Sequence, residues 1–267
     1  MEFVERYGPW ALITGASEGT GRAFARKLAM KGLPSVLVAR REAPLLALRA
    51  EILAESGVEC VIARVDLAAP DACSKIVAAV GSREVGLFVA NAGADTNGSR
   101  FLDRDIAFWL QLVYLNVLTT MQCCHHFGGL MRGRGKGGLL LVNSGACYGG
   151  ASFMAAYSAS KAFTLNFSEA LWAELRPHGI DVLTLILGQT DTPAYRKLLA
   201  EKGMPVPANI ASPDDVAALG LEQLTHGPLR NWGQEDDVVG YAPSSAATRR
   251  ARVLMIDRVS KHVFGND

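Results

Sequence analysis

Three polar side chains near the middle of the chain have the types and spacing of a proton-transfer site. Tyr157 and Lys161 are four residues apart, so on a helix their side chains lie on the same face, one turn apart. A tyrosine hydroxyl has a pKa of about 10, and a neighbouring ammonium group stabilises the phenolate and lowers that pKa. Ser144, thirteen residues before Tyr157, could hold the same substrate oxygen. This set could exchange a proton with an alcohol or a carbonyl near neutral pH.

A glycine-rich turn near the start of the chain has the character of a phosphate-binding loop. It runs Thr14-Gly-Ala-Ser-Glu-Gly-Thr-Gly21, directly after an apolar segment and directly before a helical pattern. Its glycines allow a tight turn and a close approach by a pyrophosphate, and the next helix offers free N–H groups at its N-terminus. The spacing is Gly-x-x-x-Gly-x-Gly. In this context the turn predicts a dinucleotide site rather than an empty loop.

The residues after the second apolar segment bear on which dinucleotide binds. In such a fold this position meets the adenosine ribose, and an acidic residue there would bind the 2′-hydroxyl. This chain has Arg40 and Arg41 instead, and a guanidinium group suits a 2′-phosphate. Glu18 adds negative charge nearby and argues mildly the other way. We expect NADP(H), with NAD(H) as the alternative.

The elements that must position these residues alternate between short apolar strands and helices. The predicted strands are Trp10–Thr14, Ser35–Ala39, Glu59–Val65, Leu87–Ala90, Gly138–Asn143 and Ile180–Leu187. The predicted helices are Gly21–Met30, Pro44–Ser56, Asp71–Val80, Ile106–Phe127 and Met154–Arg176. Strands joined by crossover helices form a parallel sheet, and continuous apolar strands indicate helices on both faces. The predicted fold class is therefore α/β, a doubly wound parallel sheet.

Composition supports one folded domain with a sizeable core. Of the 267 residues, 49% are apolar and 20% are charged, and the formal net charge is only +1. Such a balance argues against a general nucleic-acid binder. We expect a single domain over 1–267, with a dinucleotide-binding and catalytic core at 8–190. Substrate-side loops and short helices follow at 191–245, and a C-terminal helix at 246–267.

Cysteine usage and the first residues of the chain favour a reducing compartment. The five cysteines form an odd, scattered set, which is untypical of a disulfide framework. Met1–Tyr7 is charged and lacks the apolar segment of a signal peptide. We therefore expect a cytoplasmic protein. Cys123–His126 is not predicted to bind metal, because four consecutive helical residues point in different directions.

Two segments raise the question of membranes. Ile106–Cys124 is 19 uncharged residues long, but polar residues such as Gln111 and Asn116 interrupt it, so we predict a buried helix of a soluble protein. Ser244–Val263 has the pattern of a basic amphipathic helix. We expect it to be a solvated terminal helix, and binding to a membrane surface or a partner is the alternative.

Over about residues 8–195 the chain resembles the short-chain dehydrogenase/reductase family. The matching pieces are the turn at 14–21, Asp66, Asn91-Ala-Gly93, Asn116, Ser144 and Tyr157-Ser-Ala-Ser-Lys161. The resemblance implies a Rossmann-like fold and NAD(P)(H)-dependent chemistry between alcohols and carbonyls. Where the family commonly has Pro-Gly after the sixth strand, this chain has Leu187-Gly188, although Gly188 and Thr192 match the wider pattern. No final glycine-rich strand is identifiable within 227–240.

The resemblance also implies a role for each matching residue. Tyr157 would be the acid/base, and Lys161 would lower its pKa and hold the nicotinamide ribose. Ser144 would orient and polarise the substrate oxygen, Asn116 would hold a water in a proton relay toward Lys161, and Asp66 would contact the adenine. The expected cofactor-binding set is Gly15, Ser17, Glu18, Gly19, Thr20, Gly21, Arg40, Arg41, Asp66, Leu67, Asn91, Ala92, Gly93, Tyr157, Lys161, Gly188, Thr190 and Thr192.

The substrate is less well defined by the sequence. The segments 7–15 and 39–41 are similar to a branch of hydroxysteroid and ketoacyl reductases, which suggests a bulky apolar substrate such as a steroid-like or aromatic ketone. Tyr148, Phe153, Met154 and Tyr195 lie beside motif positions and could line an apolar pocket or serve only in packing.

We therefore expect an oxidoreductase that transfers a hydride between NADP(H) and a ketone or secondary alcohol. The alternatives are an NAD-dependent alcohol dehydrogenase of the same family and a non-catalytic dinucleotide-binding sensor or scaffold. The family commonly pairs the helices corresponding to Ile106–Phe127 and Met154–Arg176 between subunits. This resemblance implies a homodimer or homotetramer.

Overall fold

A computed structural model describes residues 2–93, 98–233, 255, 258–259 and 261–264. The strands are β1 (Trp10–Thr14), β2 (Ser35–Ala39), β3 (Cys60–Arg64), β4 (Val85–Ala90), β5 (Gly137–Ser144), β6 (Ile180–Leu187) and β7 (Leu229–Asn231). They form one seven-stranded sheet in the order β3-β2-β1-β4-β5-β6-β7, and every neighbouring pair is parallel. The chain is thus a single Rossmann-like domain, which confirms the predicted fold class.

Helices connect the strands and cover both faces of the sheet. They are α1 (Phe3–Tyr7), α2 (Gly19–Met30), α3 (Glu42–Ser56), α4 (Ala72–Val80), α5 (Ile106–Val113), α6 (Thr119–Arg134), α7 (Ala155–Leu175), α8 (Pro193–Glu201) and α9 (Pro213–Glu222). A π-helical turn, Tyr114–Leu118, joins α5 to α6, and a 3₁₀ turn, Gly145–Tyr148, follows β5.

Two apolar cores lie on opposite faces of the sheet. Successive strand residues point to opposite faces, so Ile13 and Leu37 join α2, α3 and α9 on one side while Leu12 and Val36 join α4, α6 and α7 on the other. Both faces being covered explains why β2 and β4 are buried along their whole length.

The strand order places a crevice where the chemistry was predicted. β1 has β2 on one side and β4 on the other, so connections from their carboxyl ends leave in opposite directions. Ligands of open α/β sheets bind in the crevice at such a switch point. The glycine-rich turn follows β1, residues 91–93 follow β4, and Ser144 ends β5.

The N-terminal helix α1 packs at the amino ends of the strands, opposite the crevice. The Arg6 guanidinium donates hydrogen bonds of 2.7 and 2.8 Å to the carboxylate of Asp181, and the Tyr7 hydroxyl donates one of 2.7 Å. Asp181 lies at the amino end of β6. These bonds stabilise the packing of α1 on the sheet, away from the candidate site.

Two segments differ from their predictions. No last strand was predicted in 227–240, yet β7 pairs with β6. The three residues of β7 are only partly buried, so the strand is recognised by its pairing with β6 and has no apolar sequence pattern. The helix predicted at Ile106–Phe127 continues to Arg134 and contains the π-helical turn. Among the described residues, Ile106–Arg134 is one helical stretch long and apolar enough to cross a membrane by length and composition.

That stretch packs by one side only. Cys123, Phe127 and Met131 are buried against the sheet, whereas Ile106 and Leu110 are exposed. Of the helix predicted at 246–267, the structure describes residue 255, 258–259 and 261–264, which are helical. The rest of that prediction lies outside the described residues.

Candidate active site

The buried Asn143 amide links the backbones of two of the predicted proton-transfer residues, Ser144 and Lys161. The Asn143 side chain donates a hydrogen bond of 3.1 Å from Nδ2 to the backbone oxygen of Lys161. Its Oδ1 accepts one of 2.8 Å from the backbone N–H of Ser144. The end of β5 is thereby tied to the second turn of α7. Asn143 was not among the predicted site residues. The feature that could have identified it is a polar residue at the end of an apolar strand.

Lys161 is held in a dry environment beside Tyr157. The residue is 5% exposed, and its Nζ donates a hydrogen bond of 3.3 Å to the Val142 carbonyl. Nζ lies 5.7 Å from the centre of the Tyr157 ring, so the two side chains share one side of α7 as predicted. Burial lowers the pKa of Lys161 to about 8, and Cys147 acts weakly in the opposite direction.

Asn116 presents an unmatched polar group to the same region. It lies in the π-helical turn and is 4% exposed. Neither its Nδ2 nor its Oδ1 has a hydrogen-bond partner among the described residues. A buried amide without partners is costly, and π-helical turns recur at functional sites. The amide is therefore suited to bind a water or ligand, as the predicted relay requires.

Gly93 lies next to both the Asn116 amide and the Lys161 amine. A Cβ at this position would lie 2.1 Å from Asn116 Oδ1 and 3.4 Å from Lys161 Nζ. The residue also has a φ of 136°, which side-chain-bearing residues rarely adopt. The backbone after β4 therefore passes directly over the Asn116 amide, and only glycine leaves room for it.

The glycine-rich turn is as tight as a pyrophosphate cradle requires. Gly15 and Gly19 have φ values of 70° and 55°. A Cβ on Gly21 would lie 2.2 Å from the Gly15 carbonyl oxygen. The turn leads straight into the N-terminus of the 12-residue α2, whose first N–H groups are available to an anion. These residues fit a dinucleotide pyrophosphate.

The ends of β1 and β4 are bonded to each other across the crevice. Asn91 Nδ2 donates hydrogen bonds of 3.2 Å to the carbonyls of Thr14 and Gly15. The backbone N–H groups of Asn91 and Ala92 both donate to Thr14 Oγ1, over 3.2 and 3.4 Å. The predicted cofactor residues at 91–93 therefore lie beside the glycine-rich turn. Thr14, which sequence analysis left without a role, organises this junction.

The predicted adenine contacts follow β3. The Asp66 side chain is exposed, and its Oδ1 accepts a hydrogen bond of 3.1 Å from the backbone N–H of Ala68. The Leu67 carbonyl accepts one of 2.8 Å from Thr119 Oγ1, which fixes this turn to the start of α6. Within the glycine-rich turn, Ser17 and Glu18 are half-buried and Thr20 is buried.

The segment after β6 reaches the glycine-rich turn through Thr192. Thr192 caps α8 by accepting a hydrogen bond of 3.2 Å from the Tyr195 N–H. Its Cγ2 would be 2.8 Å from a Cβ on Gly19. Thr190 forms an isolated parallel bridge with Ala211. A Cβ on Gly188 would meet nothing within 4 Å, so glycine is not sterically required there.

A charged cavity of about 530 Å³ lies beside the end of β2. It is lined by Glu18, Arg40, Arg41, Pro193, Ala194, Lys197, Leu198 and Glu201. Arg41 forms an ion pair with Glu18. The negative charge that argued for NAD(H) is thus matched by one of the two arginines. The position of α8 at this cavity was not predicted from the sequence.

A second, more apolar cavity of about 460 Å³ lies on the other side of α8. Its lining includes Gln189, Tyr195, Leu199, Met204, Pro205, Pro207, Arg258, Val259, His262 and Val263. Of the four residues proposed to line a substrate pocket, this cavity contains Tyr195.

The other three residues proposed for that pocket lie around the start of α7. The Tyr148 hydroxyl donates a hydrogen bond of 2.8 Å to Asn231 Oδ1. Phe153 has a φ of 66°. The Arg100 guanidinium carbon lies 5.2 Å from the centre of the Phe153 ring. Met154 directly precedes α7. All three belong to the segment between β5 and α7.

The Cys123–His126 segment divides its side chains between core and surface. Cys123 and Cys124 are buried, while His125 is exposed. Across the described part of the chain, no three His, Cys, Asp or Glu residues come together in a way that could hold a metal ion.

The chain belongs to the short-chain dehydrogenase family, whose sequence profile matches residues 9–203. It is an NAD(P)-dependent oxidoreductase of that family. A 7β-hydroxysteroid dehydrogenase of Collinsella aerofaciens is 33% identical to it over 194 residues, which cover 73% of each protein.

Solved structures show the same relationship. One, from a study of 7β-hydroxysteroid dehydrogenase stereoselectivity, has a TM-score of 0.81 at 29% identity and covers 88% of this chain and 91% of that one. A short-chain dehydrogenase from Sphingobium yanoikuyae in complex with NADPH has a TM-score of 0.75 at 25% identity, covering 97% of this chain and 96% of that one.

Proposed function

We propose that the protein transfers a hydride between NADP(H) and a ketone or secondary alcohol. The observation that carries the proposal is the convergence at the sheet's carboxyl edge. There Asn143 ties Ser144 to Lys161. The Asn116 amide, which has no hydrogen-bond partner in the part of the chain that the structure describes, adjoins Gly93 next to the glycine-rich turn. A non-catalytic sensor would not need this costly buried arrangement of Lys161 and Asn116.

The residues around the crevice would divide the work. The glycine-rich turn and the N-terminus of α2 would hold the pyrophosphate, and Lys161 the nicotinamide ribose. The bound dinucleotide supplies or accepts the hydride. During ketone reduction the Ser144 hydroxyl donates a hydrogen bond to the substrate oxygen, and the Tyr157 hydroxyl gives that oxygen its proton.

Two further side chains would support the proton transfer. The ammonium of Lys161 stabilises the phenolate that Tyr157 becomes, and burial strengthens this interaction because little water screens it. The Asn116 amide holds a water through which Tyr157 recovers a proton by way of Lys161. Alcohol oxidation uses the same groups in the reverse order.

The preference for NADP(H) rests on the charged cavity. Arg40 and Arg41 border it at the end of β2, where the adenosine ribose is expected, and among the described residues the ion pair of Glu18 is with Arg41. The comparison of kcat/KM for NADPH and NADH tests this preference. We expect NADPH to be the better cofactor; equal or better efficiency with NADH would contradict the assignment.

The proposed substrate is a bulky apolar ketone or its alcohol. The apolar cavity beside α8 supports this choice, as does the similarity to 7β-hydroxysteroid dehydrogenases. Steroid, aromatic and short aliphatic ketones should be compared by oxidation of NADPH. We expect kcat/KM to be higher for the steroid and aromatic ketones than for the aliphatic ones, and the reverse order would contradict the proposal.

We also propose a homo-oligomer in the cytoplasm. Ile106, Leu110 and Met121 on α5 and α6 and Phe163 on α7 are exposed apolar residues, which supports pairing of these helices between subunits. All five cysteines are free, which is consistent with a reducing compartment. Light scattering should give a dimer or tetramer mass, and a monomer at micromolar concentration would contradict the pairing.

A further inference from the structure

The helix α8 separates the two cavities. Pro193, Ala194, Lys197, Leu198 and Glu201 line the charged cavity, and their spacing places them along one face of the helix. Tyr195 and Leu199, on another face, line the apolar cavity. Whatever fixes the position of α8 on the charged side therefore also fixes part of the apolar wall.

The start of α8 is already fixed to the cofactor site. Thr192 packs against the glycine-rich turn at Gly19 and caps the helix. Lys197 lies five residues further along, at the cavity that Arg40 and Arg41 border. The helix thus extends from the pyrophosphate turn toward the expected adenosine ribose.

The basic side chains that line this cavity outnumber the acidic ones, and the ion pair of Lys197 is long and exposed. Three basic side chains, Arg40, Arg41 and Lys197, face two acidic ones, Glu18 and Glu201. Lys197 Nζ lies 3.7 Å from Glu201 Oε1, and the Lys197 side chain is 78% exposed. Such a surface pair has little net stability. A phosphate with about two negative charges and three acceptor oxygens would compete well for this ammonium.

We propose that Lys197 binds the 2′-phosphate of NADP(H) from α8, opposite Arg40 and Arg41. The phosphate then connects the turn after β2 to α8 and holds the wall that carries Tyr195 and Leu199. This inference rests on the proposed NADP(H) preference. It adds a residue that determines cofactor specificity and lies on α8, in the substrate-side segment. The other expected cofactor contacts at this end lie in the glycine-rich turn and at Arg40 and Arg41.

Calorimetric binding of two small probes tests the contact without catalysis. The probes are 2′,5′-ADP and 5′-AMP, which differ only in the 2′-phosphate. In Lys197→Met we expect binding of 2′,5′-ADP to weaken by about fivefold, because an exposed charged contact is lost, while 5′-AMP binding stays unchanged. Lys202→Met, an exposed lysine at the end of the same helix, should bind both probes like the wild type.

The outcomes separate this inference from the proposed function. If the wild type binds 2′,5′-ADP no better than 5′-AMP, the NADP(H) preference is wrong. If the wild type prefers 2′,5′-ADP but Lys197→Met retains the full preference, the role of Lys197 is overturned. Equal losses in Lys197→Met and Lys202→Met would show general charge attraction and would also overturn it.

Limited trypsin cleavage tests the link to α8 itself. Cleavage after Arg196 and Lys202 reports opening of this helix, and both sites remain in Lys197→Met. In the wild type we expect 2′,5′-ADP at saturation to slow this cleavage more than 5′-AMP at saturation does. In Lys197→Met the two probes should protect equally. Equal protection in the wild type would contradict the proposed connection.

Discussion

The buried amine of Lys161 makes a quantitative prediction about stability. Its pKa falls from 10.5 in the exposed state to about 8 in the folded protein because burial disfavours the ammonium. Between these two values the unfolded chain binds a proton that the folded chain has released. Unfolding therefore takes up a proton, and stability from this group rises with pH by about 1.4 kcal/mol per unit. Over the whole interval the gain is about 3 kcal/mol.

Comparison with Lys161→Met isolates this contribution. Urea unfolding of the dinucleotide-free protein from pH 7 to 10 should show the wild type gaining stability relative to the variant above pH 8 and little below it. The test uses the pH slope of the difference in unfolding free energy between the two proteins. The lost hydrogen bond to Val142 shifts this difference by a constant amount and leaves its slope unchanged. Lys202→Met should follow the wild type at every pH. If the difference in unfolding free energy does not change with pH, or falls as pH rises, Lys161 is not a buried lysine with a lowered pKa.

Further predictions concern the crevice and the N-terminal helix. Gly93→Ala should lower kcat about 100-fold, because the new Cβ would displace the Asn116 amide and a shift of about 1 Å can cost that much. Steady-state kinetics at saturating cofactor measures kcat, and a loss under twofold would contradict this role of Gly93. Asp181→Ala should lower the free energy of unfolding by about 1–3 kcal/mol in urea, since Arg6 and Tyr7 both lose their shared carboxylate. An unchanged midpoint would show that this contact contributes nothing.

Sequence patterns predicted the sheet because its strands are continuous apolar runs. β1, β2 and β6 have the predicted bounds, since apolar side chains fill both faces along their length. The edge strand β7 escaped prediction because it is short, partly polar and defined by its pairing with β6. The π-helical turn escaped for a related reason: its hydrogen-bond register, rather than any residue type, distinguishes it from an α-helix.

The candidate site divides in the same way. Ser144, Tyr157 and Lys161 were predictable from residue types and spacing along a strand end and one helix face. Asn143 and Lys197 were not, because their roles depend on contacts between segments far apart in sequence. Asn143 acts on α7 from β5, and Lys197 reaches the charged cavity from a segment that sequence analysis described only as loops and short helices.

The acid/base role of Tyr157 is the central claim, and Tyr157→Phe tests it most directly. This change removes one hydroxyl oxygen and keeps the aromatic ring next to Lys161. Turnover of a ketone should fall at least about 100-fold, because proton donation is lost. Calorimetric binding of NADPH should stay within about twofold of the wild type, since the pyrophosphate and ribose contacts remain. Unchanged turnover in a variant that binds NADPH normally would contradict the account.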